Sequence, residues 1–171
     1  MNRNAWMPLF VFVILLGIAG ARLGQPEPPL PSALEGKPLP AFSLPLLAGE
    51  GRLTPDTLKG RPAILNVFGS WCAACVAEHP IWAEVGKRVD VYGVAWLDEP
   101  AKTRAWLAER GNPYKAVGVD KDSRFALDMG VAGAPESYLI SPEGRIVAKV
   151  PGPVTETVWK ETLLPALEAM K

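Results

Sequence analysis

Cys72 and Cys75 are the two cysteines of this 171-residue chain, and only two residues separate them. The run Trp71-Cys72-Ala73-Ala74-Cys75 follows an apolar, strand-like stretch and precedes a helical pattern. That is the layout of a dithiol/disulfide redox site. Cys72 falls at the start of the helix, where unpaired backbone N–H groups and the helix dipole favour an anion. A thiol there loses its proton more readily, so Cys72 is predicted to attack and Cys75, one turn further in, to resolve. Other uses of the pair are weaker. A loop this short removes little entropy from the unfolded chain, so it makes a poor structural staple. Cys72, Cys75 and His79 supply three zinc ligands at most, with no second cysteine pair. Covalent haem attachment needs His directly after the second cysteine, and Val76 stands there. No metal is expected, and no cofactor beyond the Cys72–Cys75 disulfide itself.

Glu78 lies three residues beyond Cys75, one turn along the same side of the helix. It can tune Cys75 or pass a proton to its thiolate. By composition alone, a solvated acid on a helix surface is the stronger reading. His79, the only histidine, reads as a surface or packed residue rather than a catalyst, and Pro80 is expected to kink the helix. Asn66 is polar in an apolar run, six residues before Cys72, so it lies beneath the site and needs buried partners. Gly133-Ala134-Pro135-Glu136 precedes another strand. Such a loop is commonly just a turn. In a thiol-redox domain, a cis X–Pro bond beside the cysteines presents backbone groups to a bound peptide. Ala134–Pro135 is the candidate, and Trp71, Ala134 and Pro135 form the expected substrate-binding set.

These residues need a scaffold, and the pattern provides a compact α/β one. Phe42, Leu44 and Leu46 alternate as a first strand, which Pro45 confines to an edge. Residues 63–68 form a nearly continuous apolar run, as in a strand buried on both faces. A helix follows from Cys72 to about Gly86, then a buried strand from Val89 to Trp96. Asp98 is the expected N-cap of the next helix, with Pro100 in its first turn and Gly111 past its end. A short strand near 116–119 and a helix over 122–129 come next. Strands at 137–140 and 146–150 flank Ser141-Pro142-Glu143-Gly144, a hairpin turn. Thr155 caps a last helix that turns Val158, Leu163 and Leu167 inward, with a kink expected at Pro165. This order predicts a central mixed β-sheet flanked by helices.

Charge is balanced, with 18 Lys+Arg against 18 Asp+Glu, so no nucleic-acid footprint is present. Residues 5–21 form an uncharged apolar run between Arg3 and Arg22. The run is near the short end of the about 17–25 residues that span a bilayer. It reads as an export segment, either cleaved after the small-residue stretch Ala19-Gly20-Ala21 or kept as an anchor. Prolines in Gly24–Pro31 favour an extended, semi-rigid spacer. The expected organisation is an anchor at 1–23, a spacer at 24–35 and a globular domain at 36–171.

The Cys pair, Pro80 and Pro135 resemble the thioredoxin fold. Longer stretches are more specific: 33–38, Leu65-Asn66-Val67, Ala77-Glu78-His79, Gly111-Asn112-Pro113-Tyr114 and Gly130 to Ser137. They resemble the CcmG/DsbE family, the membrane-anchored thiol:disulfide interchange proteins of cytochrome c maturation, over essentially the whole chain. The resemblance implies a single-pass protein of the bacterial inner membrane with its domain in the periplasm. It implies reduction of apocytochrome c, or of thiol partners in its maturation, with a DsbD/CcdA-type membrane protein restoring the dithiol. It favours the anchor over cleavage, and it places the family's active-site acid on Glu78, joining it to Cys72 and Cys75 as the catalytic set. One departure stands out. Many relatives have Pro between the cysteines, and here the dipeptide is Ala73-Ala74, which bears on the potential and on the Cys72 pKa. Two alternatives remain at this level: a general exported oxidoreductase with other clients, or an anchored binding or chaperone domain whose disulfide is structural.

Overall fold

The computed structural model describes residues 6–23 and 34–170. The first five residues, with Arg3, and residues 24–33 of the expected spacer lie outside them. The chain divides into two units at Pro31/Ser32. In the first, α1 (Met7–Leu23) is 17 residues long, about 26 Å at the helical rise of ~1.5 Å per residue. No helix among the described residues is long and apolar enough to cross a membrane.

The second unit is built on five strands in the order β5-β4-β3-β6-β7. These are β3 (Ala63–Phe68), β4 (Asp90–Trp96), β5 (Val117–Asp120), β6 (Glu136–Ile140) and β7 (Ile146–Pro151). The first three run parallel, while β6 pairs antiparallel with both β3 and β7, so the sheet is mixed. Side chains alternate between its faces with the two-residue period of a strand. Ile64, Phe68, Val91, Ala95 and Leu139 join one apolar cluster, and Ala63, Leu65, Val67, Tyr92, Val94, Tyr138 and Ile140 join the other. The first face is covered by α2 (Ala73–Val85), α3 (Pro100–Arg110) and the C-terminal helix. The second is covered by the N-terminal hairpin and α4 (Arg124–Asp128).

Several local expectations are revised by tertiary contacts. The first strand shrinks to β1 (Leu44–Pro45), which pairs with an unforeseen β2 (Arg52–Leu53), while Leu46 bridges to Gly118 on β5. Phe42 instead packs edge-on against Phe125. The N-cap of α3 is Glu99, not Asp98, whose carboxylate is drawn elsewhere. The helix expected from Asp122 starts at Arg124, because Asp120 accepts the N–H groups of Phe125 and Ala126. Pro80 lies inside α2 without ending it. Thr155 caps the last helix through Val158 N–H as expected. That helix has three parts: α5 (Glu156–Val158), a π-helical turn at Trp159–Leu163, and α6 (Leu164–Glu168). The wide turn ends two residues before Pro165, which has no N–H to offer the preceding turn.

Candidate active site

The cysteines sit where the parallel strands end, at the junction of β3 and α2. Ala73, Ala74 and Ala77 are strong helix formers, and Cys72 is the N-cap of α2. Its Sγ accepts the Cys75 N–H at 3.1 Å, so sulfur fills the place of a capping oxygen. Cys72 and Cys75 are joined as a disulfide. Both are buried, Cys75 the more so, at 1% exposure against 5% for Cys72. This N–H is the stabilising donor a Cys72 thiolate would meet in the dithiol form.

The Ala134–Pro135 bond is cis, and the Ala134 carbonyl oxygen lies 3.3 Å from Cys72 Sγ. Gly152 N–H donates to the Pro135 carbonyl and ties the loop to the end of β7. Trp71 is 54% exposed beside the disulfide, its indole N–H on the Trp96 carbonyl at 3.2 Å and its ring edge-on to Trp96. Cys72, Ala134 and Pro135 therefore come together as expected, with Trp71 next to Cys72 in the chain and turned onto Trp96.

Glu78 is not the solvated surface acid that composition favoured. It is buried, and both carboxylate oxygens have donors. Oε1 accepts from Asn66 Nδ2 at 2.9 Å, and Oε2 from the Val154 N–H at 2.8 Å. Burial pushes its pKa up, and the Val154 and Asn66 donors pull it part of the way back. Asn66 finds the partners its position demands. It also donates to Ser137 Oγ at 3.0 Å and accepts from the Tyr114 hydroxyl at 2.8 Å. Burial, and then the charge of Glu78, raise the Tyr114 pKa well above its ordinary value. His79 is packed, as expected of it. Its ring lies edge-on to Trp106 and Nε2 is 2.9 Å from the Gly111 carbonyl, while burial lowers its pKa. Among the described residues, no group of three or more His, Cys, Asp or Glu side chains is placed to hold a metal ion.

Asp98 is the residue that reading along the chain misassigned. Its Oδ2 accepts the Ser70 N–H at 2.6 Å, and its Oδ1 accepts from Ser70 Oγ and from the Glu99 N–H, each at 2.9 Å. It thus pins the turn that delivers Trp71 and Cys72. Tyr114, Ser137 and Val154 were also not foreseen as site residues. The polar Asn66 was the one signal that such partners had to exist.

Comparison with known proteins agrees with this geometry. The family model described as Redoxin matches residues 34–164. The thiol:disulfide interchange protein DsbE of Pseudomonas aeruginosa is 42% identical over 166 residues, covering 96% of this chain and 92% of that protein. The thiol:disulfide interchange protein HelX of Rhodobacter capsulatus is 36% identical over 165 residues, covering 95% and 94%. Among solved structures, the thioredoxin domain of a thiol-disulfide oxidoreductase from Bacteroides vulgatus superposes with a TM-score of 0.68 at 20% identity. That match covers 79% of this chain and 99% of that one, which fixes the fold as thioredoxin-like. A strand-helix junction bearing the disulfide and these relatives lead to one assignment: the chain belongs to the redoxin family, among the DsbE-type thiol:disulfide interchange proteins, and is a thiol:disulfide oxidoreductase.

Proposed function

We propose that the protein is a periplasm-facing reductant of apocytochrome c, or of thiol proteins in the same maturation route, acting before haem attachment. The observation that carries the reading is Cys72 at the α2 N-cap, its sulfur against both the Cys75 N–H and the Ala134 carbonyl. In the dithiol state the Cys72 thiolate attacks one sulfur of a client disulfide. A Cys72–client mixed disulfide forms, and the first client thiolate leaves and takes up a proton. Cys75 loses its proton toward Glu78 and attacks Cys72 Sγ. The second client thiolate leaves, and the Cys72–Cys75 disulfide forms. Two electrons pass from protein to client, with no cofactor beyond the disulfide. A membrane dithiol donor of DsbD/CcdA type then restores the dithiol by the same exchange in reverse. Trp71, Ala134 and Pro135 receive the client segment, which docks in extended form beside Pro135.

The anchor, residues 1–23, belongs to the same reading, with the spacer 24–35 and the domain 36–171. The described large apolar side chains of α1, from Met7 to Ile18, are exposed, as suits a lipid surround. The described helix, about 26 Å long, falls short of a hydrocarbon core of ~30 Å, so in this reading the crossing depends on local thinning and on flanking residues reaching the interface. The domain then faces the periplasm from the bacterial inner membrane, in one pass.

The experiment is stoichiometric. Purified dithiol protein is mixed with an apocytochrome c whose haem-binding cysteines are oxidised, and with an unrelated disulfide peptide. The expected result is one client disulfide reduced per Cys72–Cys75 pair oxidised, with apocytochrome reacting faster. Equal rates on both substrates would favour a general exported oxidoreductase. No exchange with either would leave the disulfide as structural.

A further inference from the structure

Asn66 occupies an unusual place for an amide. It sits mid-strand in β3, in register with Gly93 on β4 and Ser137 on β6, on the sheet face that α2 covers. Its side chain is fully buried, and both amide hydrogens and the amide oxygen have partners. One Nδ2 hydrogen goes to Glu78 Oε1 and the other to Ser137 Oγ, while Oδ1 receives the Tyr114 hydroxyl. The glycine beside it makes this possible. A Cβ on Gly93 would lie 3.1 Å from Tyr114 Cγ and 2.8 Å from Phe68 Cε1. Tyr114 enters through that gap and stacks on Phe68 with centroids 4.8 Å apart. Its segment is pinned outside the ring: Tyr114 N–H bonds Asn112 Oδ1, Lys115 N–H bonds the Val91 carbonyl, and Gly93 N–H bonds the Ala116 carbonyl.

An amide can face either way. Turned over, Asn66 would set its oxygen against Glu78 Oε1, acceptor against acceptor. The ionised carboxylate, which can only accept, selects the orientation that gives it a donor. The Tyr114 hydroxyl then donates to Oδ1 and polarises the amide so that the N–H donates more strongly. With the Val154 N–H on Oε2, both oxygens of Glu78 are held by donors. A proton arriving on Glu78 must therefore compete with one of them.

We propose that Tyr114, acting through Asn66, is a positioning residue that sets the pH at which Glu78 takes up the proton released by the dithiol. The proposal rests on the coupling of Glu78 to Cys75 put forward above. The other titratable or charged groups around Glu78 are Tyr114 beyond Asn66, Cys75 and Glu84 on α2, Arg88 in the turn after it, and Glu156 and Lys160 from the C-terminal helix. Glu156 and Lys160 pair with each other at 2.6 Å.

The test is the reduction potential of the full chain against pH, for wild type, Glu78→Gln and Tyr114→Phe. Glu78→Gln should remove one inflection from the curve. Tyr114→Phe should keep that inflection and move it upward by a few tenths of a pH unit, a fraction of the worth of one hydrogen bond, because Tyr114 acts through the amide. A Glu78 carboxyl titration by carbon-13 shift in the dithiol form of wild type and Tyr114→Phe gives the same answer without turnover. An inflection removed by Glu78→Gln but unmoved by Tyr114→Phe overturns the role of Tyr114. A curve that Glu78→Gln leaves unchanged overturns the Glu78 coupling itself, and this proposal with it.

Discussion

Two buried carboxylates lie on opposite faces of the central sheet, and they are balanced in different ways. Glu78 rises from α2 toward Asn66 and Ser137, and its described partners are neutral N–H groups. Glu136, the first residue of β6, is 1% exposed on the face it shares with Tyr138. There Lys149 Nζ lies 3.1 Å away, and the Tyr138 hydroxyl donates to the same oxygen. Lys149 is itself held, donating to the Gly130 carbonyl at 2.9 Å and lying over the Tyr138 ring. Burial, and then Glu136, raise the Tyr138 pKa, so this hydroxyl keeps its proton. An acid paired with an ammonium is a structural ion pair. An acid held by neutral donors is free to change protonation, which is what proton transfer next to a dithiol requires.

The largest effect should come from removing the cation. Lys149→Met strands Glu136 without its partner, and breaking such a buried pair costs about 3 kcal/mol or more. Urea unfolding would show it as a lowered midpoint at unchanged slope. Tyr138→Phe removes one hydrogen bond to a charged group and should cost about 2 kcal/mol. A Tyr138→Phe loss as large as that of Lys149→Met would mean the ion pair is not the main support of Glu136. Glu78→Gln should change stability least at neutral pH, and its signature is the pH dependence. The Glu78 pKa is raised above its ordinary 4.5 in the folded protein. Its stabilising share is therefore fully present below that value and is lost as pH rises through the folded pKa. Wild type should lose stability relative to Glu78→Gln above about pH 4.5, then run parallel to it. Parallel curves from pH 4 upward would erase the contrast between the two acids.

Much of this was legible along the chain, for physical reasons. The Cys pair, the buried run at 63–68, the Ser141–Gly144 turn and the Pro135 loop are set by local chemistry: helix capping, strand burial, turn residues and ring constraint. What failed depended on distant partners. Glu78 reads as a surface acid because its burial is completed by Val154, 76 residues away, and by Asn66. Asp98 carries every local mark of an N-cap, yet its carboxylate is taken by Ser70, 28 residues earlier. The β1–β2 hairpin is two residues per strand, too short for alternation to register. Asn66 was the informative exception. A polar residue in an apolar strand predicts a buried network without naming its members.

The division of labour between the two sulfurs is the claim on which the rest depends, and trapping tests it most directly. Cys75→Ser protein, reduced and mixed with an oxidised disulfide client, should accumulate a mixed disulfide. Peptide mapping by mass spectrometry should place that adduct on Cys72, and Cys72→Ser should form none. Adduct found on Cys75 in the Cys72→Ser variant, with none on Cys72 in the Cys75→Ser variant, would contradict the account.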